Sequence, residues 1–209
     1  MDLAELIEYI VNGNADDAEA FTVEALAAGL EPGDIVNNGL IPGMDIVGDK
    51  FQNREYFMPE MLVSARAMKR AMVHIKPLLS SSDQATGLRA VCGTVTGDLH
   101  DIGISLVGMM LEGAGFEVIY LGPDNTADQF LDAVKEEKAQ VLCMSALLTT
   151  TIKNMGSVVQ RANELGVRDR VKIYVGGAPV TEKFSNDIGA DGYRPDAGSA
   201  VKMIKEDLE

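Results

Sequence analysis

The sequence predicts an α+α/β protein in two parts, a bundle of four helices followed by an open sheet of five parallel strands. Apolar residues recur at helical spacing through the first part, whereas short apolar runs alternate with amphipathic segments from residue 89 onward. A polar stretch without apolar periodicity separates the two patterns. We therefore expect a helical domain at residues 1–80, a linker at 81–88 and an α/β domain at 89–209.

The helical part contains four amphipathic segments, which fit a small antiparallel bundle. Their predicted spans are residues 3–10, 16–28, 32–51 and 59–78. Pro32 opens the third helix at a position where proline is tolerated. We expect this helix to be interrupted at 41–43, where Pro42 and Gly43 disfavour regular helix.

The second part repeats a strand and a helix five times. The predicted strands are residues 90–95, 117–121, 140–145, 171–175 and, more weakly, 191–193. The predicted helices are residues 104–112, 127–137, 152–165, 179–188 and 197–206. This alternation predicts a flavodoxin-like five-stranded parallel sheet with helices on both faces. In that strand order, the loops after the first and third strands flank a ligand crevice.

Composition and charge argue against several classes of function. A net charge of -14 disfavours a nucleic acid partner. No signal-like segment or apolar run of membrane-spanning length is present, so we expect a cytoplasmic protein with no membrane partner. Cys92 and Cys143 lie in separate apolar runs, which is typical of buried thiols. The glycine-rich phosphate loops of nucleotide-binding proteins are missing as well.

His100, one of only two histidines, lies in the loop after the first predicted strand. Asp98 precedes it by two residues, Asp101 follows it directly and Gly103 completes an Asp-x-His-x-x-Gly motif. A neutral imidazole at the carboxyl end of a parallel strand can bind a metal while a nearby carboxylate holds its other ring nitrogen. Considered alone, a histidine flanked by two aspartates in a loop is most often a solvated surface residue.

Two further loops at the same predicted edge have unusual composition. The loop after the third strand contains Ser145, Leu147, Thr149 and Thr151. Helix capping is an equally good explanation for Thr151. The loop after the fourth strand contains Gly176 and Gly177, where a flat or chain-like group can approach the backbone, although a tight turn explains two glycines too. A flavin or a phosphoacceptor aspartate in this crevice leaves His100 unexplained.

Together these motifs resemble the cobalamin-binding corrinoid proteins of methyltransferase systems. The histidine loop at 98–103, the Ser-x-Leu at 145–147 and the double glycine at 176–177 occur in the family's order along the same predicted fold. Residues 57–69 resemble the cap that precedes the cobalamin module in methionine synthase and in the methylamine, methanol and aryl-ether corrinoid carriers. The resemblance covers essentially the whole chain.

The resemblance implies cobalamin or a related corrinoid as cofactor, bound base-off with His100 as the lower ligand of cobalt. Asp98 would accept a hydrogen bond from the other ring nitrogen, and Thr151 would donate one to Asp98. Phe57 would lie over the upper face of the corrinoid. The remaining residues implied in cofactor binding are Asp101, Gly103, Ser145, Leu147, Thr149, Gly176 and Gly177.

The same resemblance implies a methyl-carrier subunit without catalytic residues of its own. A donor-specific methyltransferase would load cob(I)alamin, an acceptor methyltransferase would pass the methyl group to tetrahydrofolate or a thiol, and a reductive activator would restore inactive cobalt. The small subunit of an adenosylcobalamin mutase is an alternative, against which the methyl-type cap argues. A cobalamin-dependent regulator is another, but the acidic amino-terminal region lacks a basic recognition helix. Methylamine, methanol, betaine and aryl methyl ethers all stay open as donors.

Overall fold

A computed structural model of the chain describes residues 1–78 and 87–208. The chain divides into two compact units. The first comprises Met1–Gly87 with Glu112–Phe116, and the second comprises Leu88–Leu111 with Glu117–Glu209. Most of the predicted linker at 81–88 lies outside the described residues, so its limits stay a prediction.

The first unit is helical. Its helices are α1 (Leu3–Val11), α2 (Ala15–Ala27), α3 (Pro32–Ile35), α4 (Ile41–Gln52) and α5 (Met58–Ile75), followed by a 3-10 turn at Lys76–Leu78. A π-helical turn at Val36–Leu40 separates α3 from α4. The predicted interruption of the third helix is therefore present, but it lies directly before 41–43 and not at these residues. Pro42 lies in the first turn of α4, where its missing N–H costs no helical hydrogen bond.

The core of the first unit is built from apolar side chains at helical spacing. The largest fully buried ones are Leu6, Ile10, Ile35, Leu40, Met61 and Ile75. Gly43 allows α4 to approach α1 closely, because a β-carbon there would lie 2.8 Å from Ile10 Cβ. The glycine that suggested a break in the helix thus serves close helix packing.

From residue 87 onward, strands and helices alternate. The strands are β1 (Arg89–Val95), β2 (Glu117–Asn125), β3 (Val141–Ser145), β4 (Lys172–Gly176) and β5 (Gly192–Tyr193). The helices are α6 (Ile102–Gly113), α7 (Ala127–Glu136), α8 (Lys153–Glu164), α9 (Glu182–Ile188) and α10 (Ala197–Glu206). All pairings are parallel in the order β2-β1-β3-β4-β5, which confirms the predicted flavodoxin-like arrangement.

Strand β2 extends to Asn125, four residues beyond its predicted end. Its pairing with β1 shifts twice, so that Cys92 pairs with Tyr120 but Val95 pairs with Asn125. The turn-forming residues after position 121 predict a loop. The structure accommodates them because β2 is an edge strand, where bulges and proline are tolerated.

The structure also tests the predictions about the two cysteines and about membrane-spanning segments. Cys92 and Cys143 are buried thiols that occupy paired positions on β1 and β3. No helix within residues 1–78 or 87–208 is both long and apolar enough to cross a bilayer. The cytoplasmic location stays a prediction.

Candidate functional site

Two loops meet at the carboxyl edge of the sheet, as the strand order requires. Strands β1 and β3 are neighbours, and Thr94 pairs with Ser145 at the end of their shared register. The loop that follows β1 carries Asp98 and His100, and the loop that follows β3 carries Leu147 and Thr151. The crevice predicted between the first and third strand ends is therefore lined by the residues that the motifs singled out.

Asp98 connects the two loops. Its side chain is 0% exposed, and its Oδ2 atom accepts three hydrogen bonds from the β3–α8 loop. The donors are the Thr151 hydroxyl at 2.7 Å, the Leu147 backbone N–H at 2.8 Å and the Leu148 backbone N–H at 3.2 Å. The sequence does not predict the two backbone donors, because the direction of an amide leaves no trace in residue identity.

His100 is bound to the other oxygen of the same carboxylate. Its Nδ1 lies 2.8 Å from Asp98 Oδ1, and its backbone N–H donates to that atom at 3.1 Å. An ionised carboxylate only accepts hydrogen bonds, so Nδ1 must carry the proton. The Nε2 atom is then an acceptor on a side chain that is 49% exposed, which is the arrangement of a metal-binding histidine.

The surroundings of Asp98 keep its carboxyl group ionised. Burial opposes ionisation, but hydrogen bonds donated by Thr151, by the backbone and ring of His100 and by the Leu147 N–H outweigh it. The net effect lowers the pKa of Asp98 far below its ordinary value. At neutral pH the site therefore holds a buried anion with both oxygens engaged.

Ser145, the last residue of β3, has a buried but unsatisfied hydroxyl group. Within the described part of the chain, its Oγ atom has no hydrogen-bond partner. Buried hydroxyl groups are rarely left unpaired, so this atom indicates a missing partner. Leu147 is 45% exposed, and Thr149 is exposed beside it.

The three glycines of the predicted site differ in what a side chain at each position would contact. A β-carbon on Gly103 or Gly176 would meet no heavy atom within 4 Å, so both leave open space beside the backbone. Gly177 has a φ of 125°, and a β-carbon there would lie 1.9 Å from the Ala146 carbonyl oxygen. Gly177 is therefore required by the turn itself, whereas Gly176 is not.

Two predicted residues lie outside the hydrogen-bonded cluster. Asp101 is partly buried at the start of α6, where its carbonyl accepts from the Ser105 N–H. Phe57 belongs to the first unit, where its side chain is 61% exposed and its N–H donates to Glu60. Their roles towards a cofactor stay predictions.

The donor set fits a metal that brings most of its own ligands. Residues 1–78 and 87–208 contain no group of three or more histidine, cysteine, aspartate or glutamate side chains that could hold a metal ion. The exposed apolar side chains of Leu99 and Leu148 on the two loops, and of Ile102 at the first position of α6, suit contact with a flat apolar group.

Comparison with known families agrees with this geometry. Residues 88–202 match a family described as B12 binding domain, and residues 3–76 match a second family with the same description. The first match contains both loops of the site, and the second covers most of the helical unit. The fold and the site thus define a protein of the B12-binding class.

Individual relatives narrow this class. The chain is 41% identical to the trimethylamine corrinoid protein of Methanosarcina barkeri over 99% of this chain and 96% of the relative. It is 39% identical to the dimethylamine corrinoid protein of the same organism over 98% and 96%. In the solved methanol:cobalamin methyltransferase complex of Methanosarcina barkeri, one chain matches with a TM-score of 0.88 at 29% identity, covering 99% of this chain and 79% of that one. The chain belongs to the family of corrinoid proteins.

Proposed function

We propose that this chain is the corrinoid methyl carrier of a methyltransferase system whose methyl donor is a methylated amine. The proposal rests on the hydrogen bonding of His100. Its Nδ1 atom is bound to the buried, ionised carboxylate of Asp98, which leaves its Nε2 atom to bind a metal. The choice of a methylated amine is supported by the relatives named for trimethylamine and dimethylamine, which are 41% and 39% identical over nearly their whole length.

The residues of the crevice would divide the binding of the corrinoid between them. His100 would be the lower ligand of cobalt, in the base-off arrangement in which the cofactor's own base is displaced. The buried Ser145 hydroxyl would receive a hydrogen-bond partner from the displaced base or its tail. Gly176 would leave room for the tail, and Gly103 for the corrin edge. When bound, the corrinoid supplies a cobalt centre that accepts a methyl group from one protein and yields it to another.

The protein's contribution is to control how firmly His100 donates to the metal. Thr151 and two backbone amides fix Asp98 Oδ2, so the carboxylate keeps its place whether or not His100 is coordinated. The carboxylate of Asp98 holds the Nδ1 proton of His100, which fixes the tautomer and the orientation of the ring. An exposed ring on a fixed anchor can therefore bind and release cobalt while its tautomer is preserved.

The carrier would work with three partners. A donor-specific methyltransferase would load it, an acceptor methyltransferase would transfer the methyl group to tetrahydrofolate or a thiol, and a reductive activator would return oxidised cobalt to use. The first partnership is supported by the similarity to a chain of a solved methyltransferase complex. The other two follow from the chemistry of a carrier that must be unloaded and kept reduced.

A donor panel tests this function. The chain, loaded with cobalamin and reduced, is mixed with the methyltransferases that serve the trimethylamine, dimethylamine and methanol relatives, each with its own substrate. Methyl transfer is followed by the visible spectrum of the corrinoid. We expect transfer from at least one methylated amine and none from methanol. Transfer from methanol alone would overturn the choice of donor, and no transfer from any substrate would overturn the carrier role.

A further inference from the structure

We propose that Asp124, at the end of β2, is a positioning residue for the axial histidine, an inference that rests on the proposed function. Asp124 Oδ1 accepts a hydrogen bond from the Gly97 N–H at 2.7 Å. The Asp124 N–H is shared between the Thr94 hydroxyl at 2.9 Å and the Asp98 carbonyl at 3.2 Å. One residue of the edge strand thus holds the histidine loop on both sides of the Asp98 peptide.

These bonds complete the fixation of Asp98. Its side chain is held by the β3–α8 loop, and its own N–H donates to the Val95 carbonyl at 3.0 Å. Its carbonyl accepts from the Thr94 hydroxyl as well as from Asp124. His100 is two residues further on, so the direction of its ring depends on a backbone that is anchored by the end of β1, by Asp124 of β2 and by the β3–α8 loop.

The backbone at Asp124 has an unusual conformation that serves this contact. Its φ is 62°, in the left-handed region that aspartate and asparagine tolerate better than most residues. Gly97, which donates to it, has a φ of 82°. Asp124 lies within the second pairing irregularity between β1 and β2, which falls between Gly122 and Asn125, and its carboxylate reaches the Gly97 N–H there.

Asn125 secures the same junction from the strand side. Its side chain is 5% exposed, and its amide group donates to the Thr94 carbonyl at 3.1 Å and to the Gly122 carbonyl at 2.7 Å. With Asn125 holding β2 against β1, removal of the exposed Asp124 carboxylate should leave the sheet intact. The loss should instead appear as a less well fixed histidine loop.

The test compares Asp124→Gly, which keeps the left-handed backbone but has no acceptor, with Asp124→Asn, which keeps an acceptor oxygen without the charge. Each protein is loaded with Co(II) cobalamin. Affinity is measured by titration, and coordination by the electron paramagnetic resonance splitting from the histidine nitrogen. We expect Asp124→Gly to lose about tenfold in affinity and part of the histidine-coordinated signal, the lower end of the effect of removing a residue that orients a metal ligand. Asp124→Asn should resemble wild type.

Two further readouts separate positioning from folding. Hydrogen exchange of the Gly97 amide in the cofactor-free protein should be faster in Asp124→Gly than in Asp124→Asn, while urea unfolding should show similar stability for both. A wild-type coordination signal in folded Asp124→Gly would overturn this inference and leave the carrier proposal standing. Absence of histidine coordination in wild type would overturn both.

Discussion

Thr151 offers the most direct test of the hydrogen bonds around Asp98. Thr151→Val keeps the shape of the side chain but removes the donor 2.7 Å from Oδ2. Because a hydrogen bond to a charged group contributes about 1.5–3 kcal/mol, we expect the cofactor-free protein to lose about that much stability in urea unfolding. Thr151→Ser, which retains the hydroxyl, is the control. Equal stability of Thr151→Val and wild type would show that Asp98 does not depend on this donor.

The ionisation of Asp98 predicts a pH dependence of stability. Its pKa is lowered in the folded protein because its hydrogen-bond donors outweigh the effect of burial. The unfolded chain therefore takes up a proton near the ordinary aspartate pKa of about 3.9 while the folded chain does not, so acid favours unfolding. The stabilisation is present above that pH and is lost as the pH falls towards the folded pKa.

Asp98→Asn isolates this contribution. The variant lacks the titrating group, so its free energy of unfolding should fall less steeply than that of wild type when the pH is lowered from about 6 to about 3. The difference in stability between the two proteins should shrink over that range. A difference that is constant with pH would contradict a lowered pKa for Asp98.

At the residue scale, the sequence predicts those contacts that are local. Asp98 and His100 are two positions apart, so their pairing can be inferred from the motif and the carboxyl edge of a strand. The bond that the Leu148 N–H donates to Asp98 and the bond that the Gly97 N–H donates to Asp124 join residues that are distant in the chain. They depend on the direction of backbone amides and on a pairing shift, neither of which leaves a pattern in the sequence.

At the element scale, the β4–α9 turn provides a matched pair of glycine substitutions. Gly177→Ala places a β-carbon against the Ala146 carbonyl in a left-handed backbone, so we expect a marked loss of stability in urea unfolding. Gly176→Ala adds a methyl group where no heavy atom lies within 4 Å. We expect it to change the stability of the cofactor-free protein by less than about 0.5 kcal/mol.

The same pair tests the proposed place of the cofactor tail. If the tail lies beside Gly176, the added methyl group should weaken cobalamin binding although the cofactor-free fold is unchanged. Titration of folded Gly176→Ala with cobalamin measures this. Wild-type affinity would show that the open space beside Gly176 is not used by the cofactor.

The wrong predictions at this scale have a common cause. Proline and glycine predict an interruption at 41–43 in the third helix and the end of β2 after position 121. In the structure Pro42 begins a helix and Gly43 lies at a close helix contact. Pro123 lies in an edge strand. Proline and glycine keep their local backbone preferences in the structure. Whether they end a helix or strand depends on the elements packed beside them, which the local sequence does not show.

At the scale of the whole molecule, the strand order carries most of the functional information. The order β2-β1-β3-β4-β5 brings the loops after β1 and β3 together, so a flavodoxin-like sheet predicted from the alternating pattern is enough to combine their motifs into one site. The strand order does not indicate which methyltransferases the carrier works with. A net charge of -14 disfavours nucleic acid, but it does not choose among methyltransferases.

Cofactor binding should also be visible as stabilisation of the folded chain. A ligand that binds only the folded state stabilises it by about 2.7 kcal/mol at a free concentration of about 100 times its Kd. We therefore expect cobalamin to raise the midpoint of urea unfolding of the wild-type protein. At the same cobalamin concentration, the midpoint of His100→Ala should rise by less. The absence of any shift in wild type would argue against a specific corrinoid site.

The central claim is that the Nε2 atom of His100 binds the cobalt of a base-off corrinoid. The most direct measurement is the electron paramagnetic resonance spectrum of the chain loaded with Co(II) cobalamin, prepared with ordinary and with isotopically labelled histidine, beside His100→Ala. We predict a nitrogen splitting that changes with the label in wild type and is missing from the variant. A splitting that ignores the label, or that persists in His100→Ala, would show that another nitrogen binds the metal and would contradict the claim.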